Sequence, residues 1–133
     1  MPKQGVRLDK ARIMIVDDQA DMRSMIRHML GELEVNQVFE ANDGKQALSF
    51  IDDAIDMIDI IICDWNMPGM TGVEVLRQLR SVYPDIPFLM VTGRSDITSV
   101  TEAKASGVTA YISKPFSLSQ LEIKLKAIMF RMG

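Results

Sequence analysis

Five short apolar runs, each closed by a polar residue and followed by a stretch with helical spacing, constrain this chain more than any other feature. The first is Ile13-Met14-Ile15-Val16, stopped by Asp17-Asp18. The second is Val38-Phe39-Glu40-Ala41, followed by the turn Asn42-Asp43-Gly44. Ile58–Cys63 is the most β-branched run and reads as the central strand. Phe88–Val91 ends at Thr92-Gly93, and Ala110–Ser113 ends at Lys114. Between the runs, Met22, Met25, Ile26, Met29, Leu30 and Leu33 form one apolar stripe on a helix from about Ala20 to Leu33. Ala47, Leu48 and Ile51 mark a second helix from Lys45 to about Ala54. A third helix is capped by Thr71, buries Val75, Leu76 and Leu79, and stops before Pro84. Ser95–Ser106 predicts a weaker helix, because Ile97, Thr98, Val100 and Thr101 are β-branched, with Gly107 as its C-terminal cap. Ser117 caps the last helix, which runs to Arg131. Five such units in series require parallel strands, and parallel strands need right-handed crossovers. The expectation is an α/β sheet covered by helices on both faces.

At 133 residues the chain fits one domain, with residues 1–10 as an N-terminal tail and 11–131 as the folded unit. No apolar run approaches the roughly 20 residues of a membrane-spanning helix, and the N-terminus lacks the apolar core of a signal peptide. The single cysteine, Cys63, excludes an internal disulfide and fits a reducing cytoplasm. A net charge of −3 leaves no electrostatic footprint for nucleic acid or an anionic membrane.

In an open α/β sheet, ligands sit outside the carboxyl ends of the strands. The residues at those ends are Asp17 and Asp18, then Asp64 and Asn66, then Thr92 and Gly93, then Lys114. Three clustered carboxylates repel one another and require a cation. Oxygen-only ligands favour Mg²⁺, whereas the lone His28 and Cys63 form no soft cluster. A lysine and a threonine suit an anion beside the metal, and an aspartate carboxylate can attack phosphorus to give an acyl phosphate. The set is therefore suited to phosphoryl transfer to or through an aspartate. Each residue alone has a plainer reading. An aspartate after a strand commonly caps the next helix, Lys114 could be a solvated loop charge, and Thr92 could simply end a strand. Their coincidence at four strand ends favours the functional reading. His28 reads as a packed or surface helix residue, and most of the 11 methionines read as core filler.

Four motifs carry a resemblance. Val16-Asp17-Asp18, the loop Asp64-Trp65-Asn66-Met67-Pro68-Gly69-Met70, Val91-Thr92-Gly93 and Tyr111-Ile112-Ser113-Lys114-Pro115-Phe116 are similar to those of response-regulator receiver domains, in particular the single-domain chemotaxis regulators of the CheY type. The resemblance covers about Ala11 to Arg131. It implies a flavodoxin-like (βα)5 doubly wound sheet in the order 2-1-3-4-5. It implies that Asp64 accepts a phosphoryl group from a histidine kinase. Asp18 and Asp64 would ligate Mg²⁺ directly, Asp17 mainly through water, and the Asn66 backbone carbonyl would complete the protein's share. Lys114 would pair with the phosphate, Thr92 would hydrogen-bond it, and Tyr111 would change rotamer with it. Pro115 resembles a family proline that often follows a cis peptide bond. Gly93 leaves room beside the phosphate, and Arg94 stands where the family varies the lifetime of the phosphorylated state.

This reading makes the chain a switch rather than an enzyme, assisting only its own phosphorylation and dephosphorylation. A haloacid-dehalogenase-type hydrolase would carry an Asp-x-Asp pattern after its first strand, which Asp17-Asp18-Gln19-Ala20 breaks. The chain could stand alone or be cut from a regulator with a DNA-binding or enzymatic output domain. Trp65 and Lys114-Pro115-Phe116 favour the chemotaxis type. At about 100° per residue, Leu118, Leu121, Leu125, Ile128 and Met129 form the core face of the last helix. Ile123, Ala127 and Phe130 fall roughly opposite and should be exposed. By resemblance, the face built from the fourth helix, fifth strand and fifth helix meets an output protein such as a flagellar switch component, or a second receiver. Ile123 and Phe130 would make that contact beside Tyr111, with Lys124 as a charged rim.

Overall fold

The strands alternate side chains between two buried faces, and that alternation sorts the core into two layers. The computed structural model describes residues 7–93 and 97–132. Its elements are β1 (Arg12–Val16), α1 (Ala20–Glu32), β2 (Gln37–Ala41), α2 (Gly44–Ala54), β3 (Ile60–Asp64), α3 (Gly72–Val82), β4 (Phe88–Thr92), α4 (Ile97–Ala105), β5 (Ala110–Ser113) and α5 (Leu118–Met132). The five strands pair in parallel in the order β2-β1-β3-β4-β5, so β3 lies at the centre. Met14, Val16, Ile61, Cys63, Phe88 and Met90 face one side, where Ala47 and Ile51 of α2, Val75, Leu76 and Leu79 of α3, and Ala103 of α4 cover them. Ile13, Ile15, Ile60, Ile62, Leu89 and Val91 face the other, against Ile26 and Leu30 of α1 and Leu121, Leu125, Ile128 and Met129 of α5. Every residue of β3 and β4 is buried, which explains why those runs are apolar throughout rather than alternating.

The helix ends follow local chemistry. Asp43 caps α2 by accepting the Gln46 N–H at 2.8 Å. Thr71 caps α3 in a full capping box with Glu74. Ser117 accepts the Gln120 N–H at 3.1 Å ahead of α5. After α4, Gly107 adopts φ +90° and closes the helix, as only glycine does without cost.

Two expectations needed correction. The central strand starts at Ile60 rather than Ile58, because Ile55–Met57 makes a 3-10 turn and Asp59 is occupied by Arg12. The Asp59 carboxylate accepts the Arg12 backbone N–H at 2.8 Å and its guanidinium at 3.1 Å. Met25 is 39% exposed, because Ile26 and Leu30 fill the contact with the sheet and leave it on the shoulder of α1. The weak fourth helix is observed from Ile97, while Ser95 lies outside the described residues. Among the described residues no helix is long and apolar enough to cross a membrane.

Candidate functional site

Parallel strands bring all their carboxyl ends to one rim, and the polar residues found there in the sequence meet in space. The carboxylates of Asp17, Asp18 and Asp64 each place an oxygen within 4.8 Å of the others. Asp17 and Asp64 are buried, at 1% and 6% exposure, while Asp18 faces solvent. Neither Asp17 nor Asp18 caps α1: that position belongs to Gln19, whose side chain makes no capping bond. Instead, Asp17 Oδ1 accepts the Gln19 N–H at 2.9 Å, and Asp17 Oδ2 is buried with no hydrogen-bond partner among the described residues. A buried carboxylate oxygen without a donor is costly and rare, so it marks a place for a ligand.

Asp64 ends the central strand. Its Oδ1 lies 2.9 Å from Lys114 Nζ, so the lysine is turned inward onto the carboxylate rather than solvated. The Lys114–Pro115 bond is cis, as in the pattern Pro115 resembled. The Lys114 N–H donates to the Thr92 carbonyl at 2.7 Å, which continues the β4–β5 pairing into the loop. Thr92 is buried at the end of β4. Burial pushes the Asp64 carboxyl above its ordinary range, and Lys114 only partly offsets that rise. Asp17 is raised too, mainly by burial and further by Asp64 and Asp18. Among the described residues, the site therefore holds more negative charge than its lysine neutralises. Cys63 is fully buried, and burial with the adjacent carboxylates pushes its thiol well up, which leaves it unsuited as a nucleophile.

Glycine is required at one neighbouring position. A Cβ on Gly72 would sit 2.3 Å from the Asp64 carbonyl oxygen, so only glycine lets the start of α3 close over the acid loop. That contact is fixed by the Gly72 N–H, which donates to the Trp65 carbonyl at 2.9 Å. Gly93 is exposed and its Cβ position is open space. Asn66 lies exposed in the same loop as Asp64. Arg94 falls outside the described residues.

Tyr111, Ile123, Lys124 and Phe130 belong to a different surface. Tyr111 pairs with Met90 across the sheet and is half-buried, and Lys124 Nζ lies 5.4 Å from its ring centroid, a cation–π contact. Ile123 is 66% and Phe130 83% exposed, so the stripe read from helical spacing is an apolar surface, away from the core face of α5. The sequence reading missed Arg23. Its guanidinium donates to the Asp17 carbonyl at 2.7 Å and to Glu40 at 3.0 Å, bracing the loop that carries the acid pair. A signal was present: a cation in the first turns of a helix opposes the helix dipole and needs a local reason.

Hard oxygen donors, a cluster of negative charge and the partnerless Asp17 oxygen together fit Mg²⁺. The sequence model for the response regulator receiver domain matches residues 13–126. A chemotaxis protein CheY of Pseudomonas aeruginosa is 37% identical over 124 residues, covering 92% of this chain and 98% of that protein. Among solved structures, chemotaxis protein CheY4 of Vibrio cholerae superposes with a TM-score of 0.81 at 36% identity, over 89% of this chain and 98% of that one. A receiver domain protein from Clostridium thermocellum superposes with a TM-score of 0.85 at 26% identity, over 92% and 97% of the two chains.

Proposed function

This chain belongs to the response regulator receiver domain family, and on that premise we propose that it is a phosphorylation-driven switch of the chemotaxis type, with Asp64 as phosphoacceptor. The observation that carries the reading is the inward Lys114, 2.9 Å from Asp64, within a cluster of three carboxylates. A carboxylate oxygen of Asp64 attacks the phosphorus of a phosphohistidine on a kinase; the O–P bond forms as the P–N bond breaks, and the imidazole leaves with the electron pair. Asp17, Asp18, Asp64 and the Asn66 carbonyl would hold Mg²⁺, which when bound neutralises the approaching phosphoryl oxygens. Lys114 exchanges its contact with Asp64 for one with the phosphoryl group, and the Thr92 hydroxyl donates to the same group. Movement of those two residues, one at the end of β4 and one just past β5, is felt at Tyr111 and Lys124. The exposed Ile123 and Phe130 then offer an apolar contact to an output protein such as a flagellar switch component, or to a second receiver. Gly93 and Arg94 would set how long the phosphoryl group lasts. The product is a conformation rather than a released chemical, so the protein acts as a cytoplasmic signal carrier and not as an enzyme.

Incubation with acetyl phosphate or a phosphorylated histidine kinase tests this. Mg²⁺-dependent labelling should reach one phosphoryl group per chain and vanish in Asp64→Ala. Undiminished labelling of that variant would refute the assignment.

A further inference from the structure

At the opposite pole of the sheet, where β3 and β4 begin, lies a cleft of about 380 Å³ that the phosphorylation reading does not use. Its walls are Ile55, Ile58, Val82, Tyr83, Pro84 and Ile86. Val82 is 63% exposed, and Met57, in the 3-10 turn with Ile55, is 50% exposed. The rim is acidic. Asp85 and Asp59 line the cleft, Asp52 accepts the Tyr83 hydroxyl at 3.1 Å, and Asp56 acts electrostatically on Tyr83. The sequence accounts for this sign: from Gln46 to Leu76 there is no lysine or arginine, while Asp52, Asp53, Asp56 and Asp59 interleave with Ile51, Ile55, Met57 and Ile58.

The nearby cations are already committed. Arg12 forks onto Asp59 and also attracts Asp56 at longer range, and Arg80 donates to the carbonyls of Gly107 at 2.8 Å and Tyr83 at 3.3 Å while attracting Asp85 at longer range. Asp52, Asp56 and Asp85 form no ion pair among the described residues, and all three are exposed. An apolar trough edged by more carboxylates than cations favours an occupant whose apolar residue is flanked by positive charge, and repels acidic segments.

We propose that this cleft is a docking site for a cationic linear segment of a partner protein, one presenting a leucine or phenylalanine between lysines or arginines. The strands separate the cleft from the Asp64 rim by their full length, about 16 Å for five residues. Docking there is therefore an anchor that works in both phosphorylation states.

The test is NMR titration of the ¹⁵N-labelled protein with synthetic nonapeptides that carry a central leucine or phenylalanine and two basic residues on each side. Matched peptides with glutamates in place of the basic residues serve as controls. Shifts should gather at Ile55, Met57, Val82, Tyr83 and Asp85 with the basic peptides only, and persist in Asp64→Ala. The double variant Asp56→Lys with Asp85→Lys alters exposed positions and should weaken binding by about tenfold, with an unchanged far-UV spectrum. No shift at the cleft with any basic peptide overturns the proposal. So do equal binding of the acidic peptides, shifts confined to Asp17, Asp18 and Asp64, and a concentration-dependent shift at the cleft without peptide, which would mark a second copy as the occupant.

Discussion

The arrangement at Asp17 reverses the usual economy of a buried polar group, because stability is given up in an acidic cluster that could hold a metal ion. Its Oδ2 has no donor among the described residues, and both Asp17 and Asp64 are raised by burial. In the native state these groups take up protons at a pH where the unfolded chain is still ionised. Their contribution to stability therefore falls as pH rises through the raised values, and is regained on acidification. Thermal unfolding without metal should show that trend, and Asp17→Asn should flatten it, raising stability at neutral pH by about 1–2 kcal/mol. Mg²⁺ should stabilise the parent protein and do so much less in the variant. A parent less stable at neutral pH than Asp17→Asn even with saturating Mg²⁺ would contradict this reading. Lys114→Ala should still accept phosphate but fail to signal, since the lysine links Asp64 to the loop after β5. Normal association of the phosphorylated variant with its output partner would disprove that link. The residues of this site were legible because parallel strands send every carboxyl end to one rim. Arg23 was not, since its role depends on the Asp17 carbonyl and on Glu40, a strand and a turn away.

Among the elements, α3 and α4 differ in the way their sequences imply. Thr71 and Glu74 box the start of α3, and Val73, Val75, Leu76 and Leu79 are buried on it. In the described side chains of α4, only Ala103 is buried. Hydrogen exchange should find α4 the least protected helix, with protection that changes on phosphorylation. Protection equal to that of α1 in both states would defeat this expectation. Gly72→Ala should cost about 1–3 kcal/mol, the general cost of overpacking, because the Asp64 carbonyl cannot retreat without moving the acid loop. Denaturant unfolding measures it. Most of the fold was readable from the short apolar runs and the helical stripes between them. The exceptions have local causes. Ile58 is as apolar as the strand it precedes, so hydropathy alone could not place the 3-10 turn at Ile55–Met57. Met25 shares the spacing of a core residue, but the sheet contact is only as wide as Ile26 and Leu30.

In the whole molecule, one sheet separates three surfaces: the acid rim at its carboxyl end, the acid-edged cleft at its amino end, and the apolar stripe on the outside of α5. Ile123 and Phe130 are exposed, so Ile123→Asp with Phe130→Asp should leave folding and phosphorylation intact while removing association with the output partner or with a second copy. Size-exclusion chromatography and partner binding in the phosphorylated state measure that loss. The proposed switch depends on Asp64 being the residue that takes the phosphoryl group. Borohydride reduction of an aspartyl phosphate leaves homoserine, so peptide mapping by mass spectrometry after treatment with acetyl phosphate and Mg²⁺ reads the site directly. Homoserine is expected at position 64 alone, and none when Mg²⁺ is chelated; modification at Asp17 or Asp18 in its place, or at none of the three, would overturn Asp64 as phosphoacceptor.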